Sequence, residues 1–381
     1  MAGSKIVRRI MAAAAGLAVA LPMAFPADAL ANPKILVDVA TGQVLYHQDA
    51  FQRWYPASLT KLMTAYLAFK ALQSGRLTLD TPVVMSKLAT SQKPSKMPFK
   101  PGDRMTMDTA LTIMLVKSAN DIAMAVAEAV GGSEDNFVAM MNAEAARLGM
   151  SSSHFVNPNG MPEPGQYVNA RDLAVLSVAI RREFPQYAHY FSTEGFINGT
   201  HKYTNYNLLI GRFDGADGMK TGFICASGFN QIASATRNGR TVVSVVLGSD
   251  SLGGRADESA ELLQMGLTKS MGTGTTLSTL APYGATRDQV SDISGSICNE
   301  KAHKVRSEGR DDAGRMKLNS PYIHEMDHEP RFVAANLLPK GAAPAAAGTT
   351  ATASAATSDA SAGDGGPAIS RVPIPTPRPL R

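Results

Sequence analysis

Ser58 and Lys61 stand three residues apart in the run Ala57-Ser58-Leu59-Thr60-Lys61. A serine hydroxyl is a poor nucleophile until a neighbouring base takes its proton. On a helix, residues i and i+3 share a face one turn apart, which brings the lysine amine within reach of that hydroxyl. Lys61 serves as base only when neutral. From an ordinary value near 10.4 its pKa must fall by roughly three units, about 4 kcal/mol, and burial together with a second cation close by supplies such a shift. The pair therefore predicts an activated serine nucleophile, with another lysine nearby.

The elements around the pair fit that chemistry. Pro56 precedes it, and Leu59, Leu62, Met63, Tyr66, Leu67 and Leu72 recur at helical spacing, so the segment reads as a buried helix that ends before Gly75. At a helix N-terminus the unpaired N–H groups and the dipole stabilise developing negative charge. A second short pattern, Ser118-Ala119-Asn120, follows a helix expected over about 106–116 and precedes an alanine-rich helix. Serine and asparagine at such a junction are also ordinary helix caps, and only their company argues for more. A third, Lys220-Thr221-Gly222, lies among strand signals: Asn198-Gly199 and Asn238-Gly239 are both strong hairpin turns. Lys220 therefore belongs on or beside a strand of an antiparallel sheet.

These three patterns, each in this order along the chain, are together the signature of penicillin-binding proteins and class A β-lactamases. With Leu115 to Asp121, Asn159 to Gly165 and Ala170 to Ala174, the chain resembles the low-molecular-mass penicillin-binding proteins, serine-type D-alanyl-D-alanine carboxypeptidases, over about 33–271. The resemblance implies an α+β fold: a β-lactamase/transpeptidase-like domain with an antiparallel sheet flanked by helices and an all-helical subregion. It implies Ser58 as nucleophile, Lys61 as general base and Ser118 as proton relay, with Lys220 helping to keep Lys61 neutral. By the same resemblance the N–H groups of Ser58 and Phe223 form an oxyanion hole beside Gly222, and Asn120 holds a substrate amide. Lys220, Thr221 and Arg255 bind its terminal carboxylate, while Tyr206 stands where some relatives carry a second arginine. The substrate class is the peptidoglycan stem peptide, with β-lactams as covalent inhibitors. No cofactor or metal is required.

Two other readings compete: a serine β-lactamase, and a non-catalytic wall-binding or β-lactam-sensing protein. Class A β-lactamases carry a glutamate in the 157–165 loop that primes the deacylating water. The candidate here, Glu163, is held between Pro162 and Pro164, so slow or absent β-lactam turnover is expected. A zinc-protease pattern, His324-Glu325-Met326-Asp327-His328, needs a helix to aim both imidazoles together, and Pro321 and Pro330 bracket it. It is read as incidental.

The 381 residues, 44% of them hydrophobic, suffice for one large domain or two. A net charge of +5 is modest, and its lysines and arginines are dispersed, which argues against nucleic acid. Lys5, Arg8 and Arg9, the apolar run Ile10 to Leu21 and Ala29-Leu30-Ala31 form a signal peptide over 1–31, so the protein is expected to be exported to the periplasm or cell-wall side of the membrane. No further stretch reads as a membrane anchor. In that compartment Cys225 and Cys298 can pair, but their spacing does not say whether they meet. The catalytic domain is expected over 32–271, and 272–340 as an irregular appendage. From 341 to 381 the chain is rich in Ala, Thr, Ser, Gly and Pro, and reads as a disordered tail.

Overall fold

The structure, a computed structural model, describes residues 32–269, 274–308 and 316–339. The expected signal peptide and carboxy-terminal tail lie outside them.

The chain opens with strands β1 (Lys34–Asp38) and β2 (Val44–Gln48), then a 3₁₀ turn (Ala57–Thr60) that runs into helix α1 (Lys61–Gln73). Strand β3 (Pro82–Val84), α2 (Lys87–Ser91) and β4 (Arg104–Thr106) lead to α3 (Met107–Val116), α4 (Asn120–Gly131), α5 (Glu134–Leu148) and α6 (Ala170–Glu183). After α7 (His189–Ser192) come the hairpin β5 (Gly195–Asn198) and β6 (His201–Thr204), the long strands β7 (Ala216–Ile224), β8 (Gly228–Arg237) and β9 (Arg240–Ser249), and helix α8 (Leu252–Thr268). Two short helices, α9 (Ser294–Ile297) and α10 (Glu300–Glu308), and strand β10 (Phe332–Ala334) follow.

The central sheet is antiparallel with strand order β2-β1-β9-β8-β7. Both its faces are covered, which explains the nearly unbroken apolar run Val242 to Leu247. Because side chains alternate along a strand, Ile35, Val37, Val243, Val245 and Leu247 face one core, while Leu36, Val242 and Val246 face another. The second core is completed by Ala256, Ala260 and Leu263 of α8. The first extends into the helical lobe, where every residue of α1 from Lys61 to Phe69 is buried. α1 is thus enclosed on all sides rather than along one stripe, and that enclosure makes its first residue, a lysine, costly to ionise.

Caps and turns fall where their chemistry directs. Ser133 and Asn169 accept the N–H of Asn136 and Asp172 at the starts of α5 and α6, and α5 ends at left-handed Gly149. Asn198-Gly199 and Asn238-Gly239 turn the hairpins β5-β6 and β8-β9. α8 begins at Leu252 and is described to Thr268.

The described parts of 272–340 lie along the domain. Gln43 bridges Thr276 and Trp54 bridges Ser291. β10 pairs in parallel with β5 and completes a three-stranded sheet, β10-β5-β6. Cys225, just beyond β7, forms a disulfide with Cys298, just beyond α9. No helix among the described residues is long and apolar enough to cross a membrane.

Candidate active site

Trp54 sets the approach to Ser58. Its backbone exchanges hydrogen bonds with Val168, and its buried indole Nε1 donates to Ser227 O at 2.9 Å. The chain then turns through Ala57, whose φ of 47° is left-handed, and presents half-buried Ser58 from the 3₁₀ turn that precedes α1. Non-glycine residues adopt this conformation only where the surroundings impose it. Here the 157–165 loop does so from one side: a Cβ on Gly160 would sit 1.8 Å from Ala57 O. On the other side strand β7 passes so near that a Cβ on Gly222 would lie 3.0 Å from Ser58 N.

Lys61 Nζ lies 2.9 Å from Ser58 Oγ and donates to Asn120 Oδ1 at 2.7 Å and to Asn159 O at 2.6 Å, which leaves its lone pair for the serine proton when the amine is neutral. All three partners are neutral. Burial lowers its pKa to about 7, against an opposing pull from the Asp121 carboxylate. Asp121, itself buried and raised to about 6 by that burial, accepts from Met97 N and Ile122 N.

Ser118 is the left-handed residue between α3 and α4, with φ of 61°. Its hydroxyl caps nothing; it accepts from Lys220 Nζ at 2.8 Å, and Lys220 also donates to Thr221 O at 2.8 Å. Lys220 lies on β7, as the flanking hairpins imply. Its pKa is well below the ordinary lysine value, through burial first and then the repulsion of Lys61 and Arg255. Burial is the leading cause for both lysines, and the repulsion between the two amines disfavours charge on either.

Asn120 is held by the loop that follows α2. Its N–H donates to Ser95 O, and its Nδ2 to Lys93 O at 2.9 Å and Met161 Sδ at 3.4 Å. Ser58, Ser118, Asn120, Thr221, Gly222, Phe223 and Arg255 all line one cavity of about 320 Å³, joined by Tyr206, Phe229 and Leu252. Phe223 packs against Phe229 with ring centroids 4.2 Å apart and the planes tilted by 34°. Arg255 is buried at the far end; it donates to Gly222 O, Asn230 O and Tyr206 O, and its Nε has no partner. It pairs with no carboxylate among the described residues, and burial brings it down to about 9. A buried guanidinium of this kind, open to a cavity, is suited to an anionic ligand.

The structure thus brings together every residue proposed for the site. It adds Asn159, whose carbonyl Lys61 reaches, and Met161; both lie in the 157–165 loop, in the stretch Asn159 to Gly165 that carries part of the family resemblance. Glu163 is exposed and lines a different cavity, of about 590 Å³. His324 and His328 are not on a helix: His324 Nε2 pairs with Asp214, and His328 with Glu194 and Asp327. Each imidazole is engaged by separate carboxylates, so the two do not face one point.

The sequence profile described as D-alanyl-D-alanine carboxypeptidase matches residues 22–251. The chain is 37% identical over 248 residues to D-alanyl-D-alanine carboxypeptidase DacD of Escherichia coli; the match spans 63% of this chain and 64% of that protein, just under two thirds of its length. Among solved structures, D-alanyl-D-alanine carboxypeptidase DacD from Francisella tularensis superimposes with a TM-score of 0.62 at 30% identity, covering 67% of this chain and 74% of that one. Penicillin-binding protein 6B from Escherichia coli gives 0.59 at 36% identity, over 62% and 76%. The sheet and helices described above are therefore the transpeptidase/β-lactamase-like fold of the penicillin-binding proteins.

Proposed function

We propose a function from one premise: the chain belongs to the D-alanyl-D-alanine carboxypeptidase family. On our reading it removes the terminal D-alanine from peptidoglycan stem peptides through an ester on Ser58, and penicillins acylate the same hydroxyl. Neutral Lys61 takes the Ser58 proton as the oxygen attacks the carbonyl joining the two D-alanines. The oxyanion is stabilised by the N–H groups of Ser58 and Phe223, an effect worth about 3 to 4 kcal/mol per donor removed. Collapse breaks the C–N bond, and the proton that Lys61 took from Ser58 is relayed through Ser118, held by Lys220, to the departing amine, which leaves Lys61 neutral again. Water then hydrolyses the ester, with Lys61 again as base.

Asn120 would donate to a substrate amide, and Arg255, with Thr221 and Lys220, would bind the terminal carboxylate. The single observation that supports the reading most is the meeting of Lys61 with Ser58 and of Lys220 with Ser118, from segments far apart in sequence. The position of Glu163 outside the Ser58 cavity favours a slowly hydrolysed penicillin adduct over β-lactamase turnover. Export rests on the amino-terminal pattern of basic, apolar and small residues. The deciding experiment exposes the protein to penicillin and maps the adduct by mass spectrometry, alongside release of D-alanine from a peptide ending in D-alanyl-D-alanine. A stable adduct on Ser58 with D-alanine release is expected; neither adduct nor turnover would sink the reading.

A further inference from the structure

The carboxamide of Asn120 has no proton to spare. Its oxygen accepts from Lys61, and its two Nδ2 protons go to Lys93 O and Met161 Sδ. A substrate carbonyl arriving at Asn120 must take one of those protons. Of the two partners a backbone carbonyl is strong and a thioether is weak, so the sulfur yields first. Met161 is also reachable. It is half-buried and lines both the Ser58 cavity and the larger neighbouring one, whereas Met63, Met97 and Met219 near the same centre are buried. The backbone around it is fixed: Met161 N donates to Asn159 Oδ1, and Met161 O accepts from Asn157 Nδ2 and Gln166 Nε2.

We propose that Met161 is an oxidation-sensitive modification site: its thioether holds the place on Asn120 that the substrate carbonyl takes, and its sulfoxide blocks that exchange. The proposal rests on the reading that Asn120 binds a substrate amide. The oxidant is a peroxide. The sulfur lone pair attacks one peroxide oxygen, the O–O bond breaks, and the other oxygen leaves as water; sulfur loses two electrons and the peroxide gains them. A sulfoxide oxygen is a strong acceptor carried on the same side chain, so it keeps the Asn120 proton against the incoming carbonyl. Lys61 and Ser58 are untouched. The loss falls on substrate capture.

The test treats the folded wild-type protein and Met161→Leu with hydrogen peroxide, and compares each with its own untreated sample. Peptide mapping locates the added oxygen. In the wild type, oxidation of Met161 is expected to raise KM for a D-alanyl-D-alanine peptide about tenfold, with a smaller change in kcat, as when one substrate hydrogen bond is lost. Penicillin acylation slows in parallel, and methionine sulfoxide reductase restores both. The leucine variant, whatever its own starting rate, keeps that rate after peroxide. The proposal is overturned if Met161 resists while exposed methionines are oxidised, if its sulfoxide leaves KM unchanged, or if the leucine variant loses as much as the wild type. Absence of any Ser58 adduct in untreated protein overturns the underlying carboxypeptidase reading and this proposal with it; intact acylation that ignores peroxide overturns this proposal alone.

Discussion

Lys220 and Ser118 meet across the cleft, the lysine Nζ from the edge strand donating to the serine Oγ at 2.8 Å from the junction of two helices. The contact joins the sheet lobe to the helical lobe through two side chains proposed to carry one proton. Replacing Lys220 by alanine leaves Ser118 without its partner and the leaving group without a proton route. The acylation rate should fall by about 10² to 10⁴, the range for lost acid–base assistance. Stopped-flow acylation with a fluorescent penicillin measures this. A decrease of less than tenfold would argue that water serves the leaving group instead.

Lys61 gives a pH dependence with a definite sign. Its pKa in the folded protein is about 7, so the neutral base accumulates as pH rises through that value. Acylation should climb tenfold per pH unit well below 7 and level off above it. The linked stability has the same direction: between about 7 and the unfolded value near 10.5 the unfolded chain binds the extra proton, so the Lys61 contribution improves with pH and is lost as pH falls through 7. A rate profile that is flat between pH 5 and 8 would contradict the assignment of Lys61 as base.

Gly160 and Gly75 separate crowding from backbone strain. Both have left-handed φ, +84° and +71°, but an added Cβ at Gly160 meets Ala57 O at 1.8 Å while at Gly75 it meets nothing within 4 Å. Gly75→Ala should cost about 1 kcal/mol, for strain alone. Gly160→Ala should cost more than about 3 kcal/mol and abolish acylation, because the Ser58 turn must move. Urea denaturation of the two variants reads the difference.

Arg255 should distinguish substrates by their charge. Arg255→Gln removes a buried cation proposed to meet the terminal carboxylate, a loss of about 2 to 5 kcal/mol when such a pair is broken. KM for a peptide with a free carboxy terminus should rise at least tenfold, and the preference for that peptide over its amide should vanish. Steady-state assays of the two peptides suffice. An unchanged preference would place carboxylate recognition elsewhere.

The Cys225–Cys298 disulfide closes a loop spanning 73 positions and ties the segment after α8 to the end of β7. Cys298→Ser should lower stability by about 2 to 4 kcal/mol. The same shift should appear in wild type under reducing conditions and be absent from the variant, as judged by denaturant midpoints with and without thiol.

Much of this architecture could be read before any coordinates. Asn198-Gly199 and Asn238-Gly239 are local turn chemistry, Ser133 and Asn169 are local caps, and the three short motifs carry their own meaning wherever the chain folds them. What could not be read is long-range. Phe332 pairing with Gly195, Trp54 with Val168 and Cys225 with Cys298 depend on segments that share no pattern. Within the site, the role of Asn159 is played by a backbone carbonyl, which any residue type supplies. Met161 bonds Asn120 through a thioether that ordinarily signals only core packing. The His324 to His328 stretch taught the converse, since its spacing matches a metal motif but its backbone is not helical.

The strand order β2-β1-β9-β8-β7 sets when this centre can exist. β1, made first, has β9, made after nearly all the machinery, as its inner neighbour, and Lys220 arrives between them in time. A growing chain that already carries both serines has neither the lysine that meets Ser118 nor the strand that seats the sheet. Nonlocal pairing of this kind is slow to form, so the nascent polypeptide should remain inert toward cell-wall peptides and antibiotics alike until residue 249 is free to join.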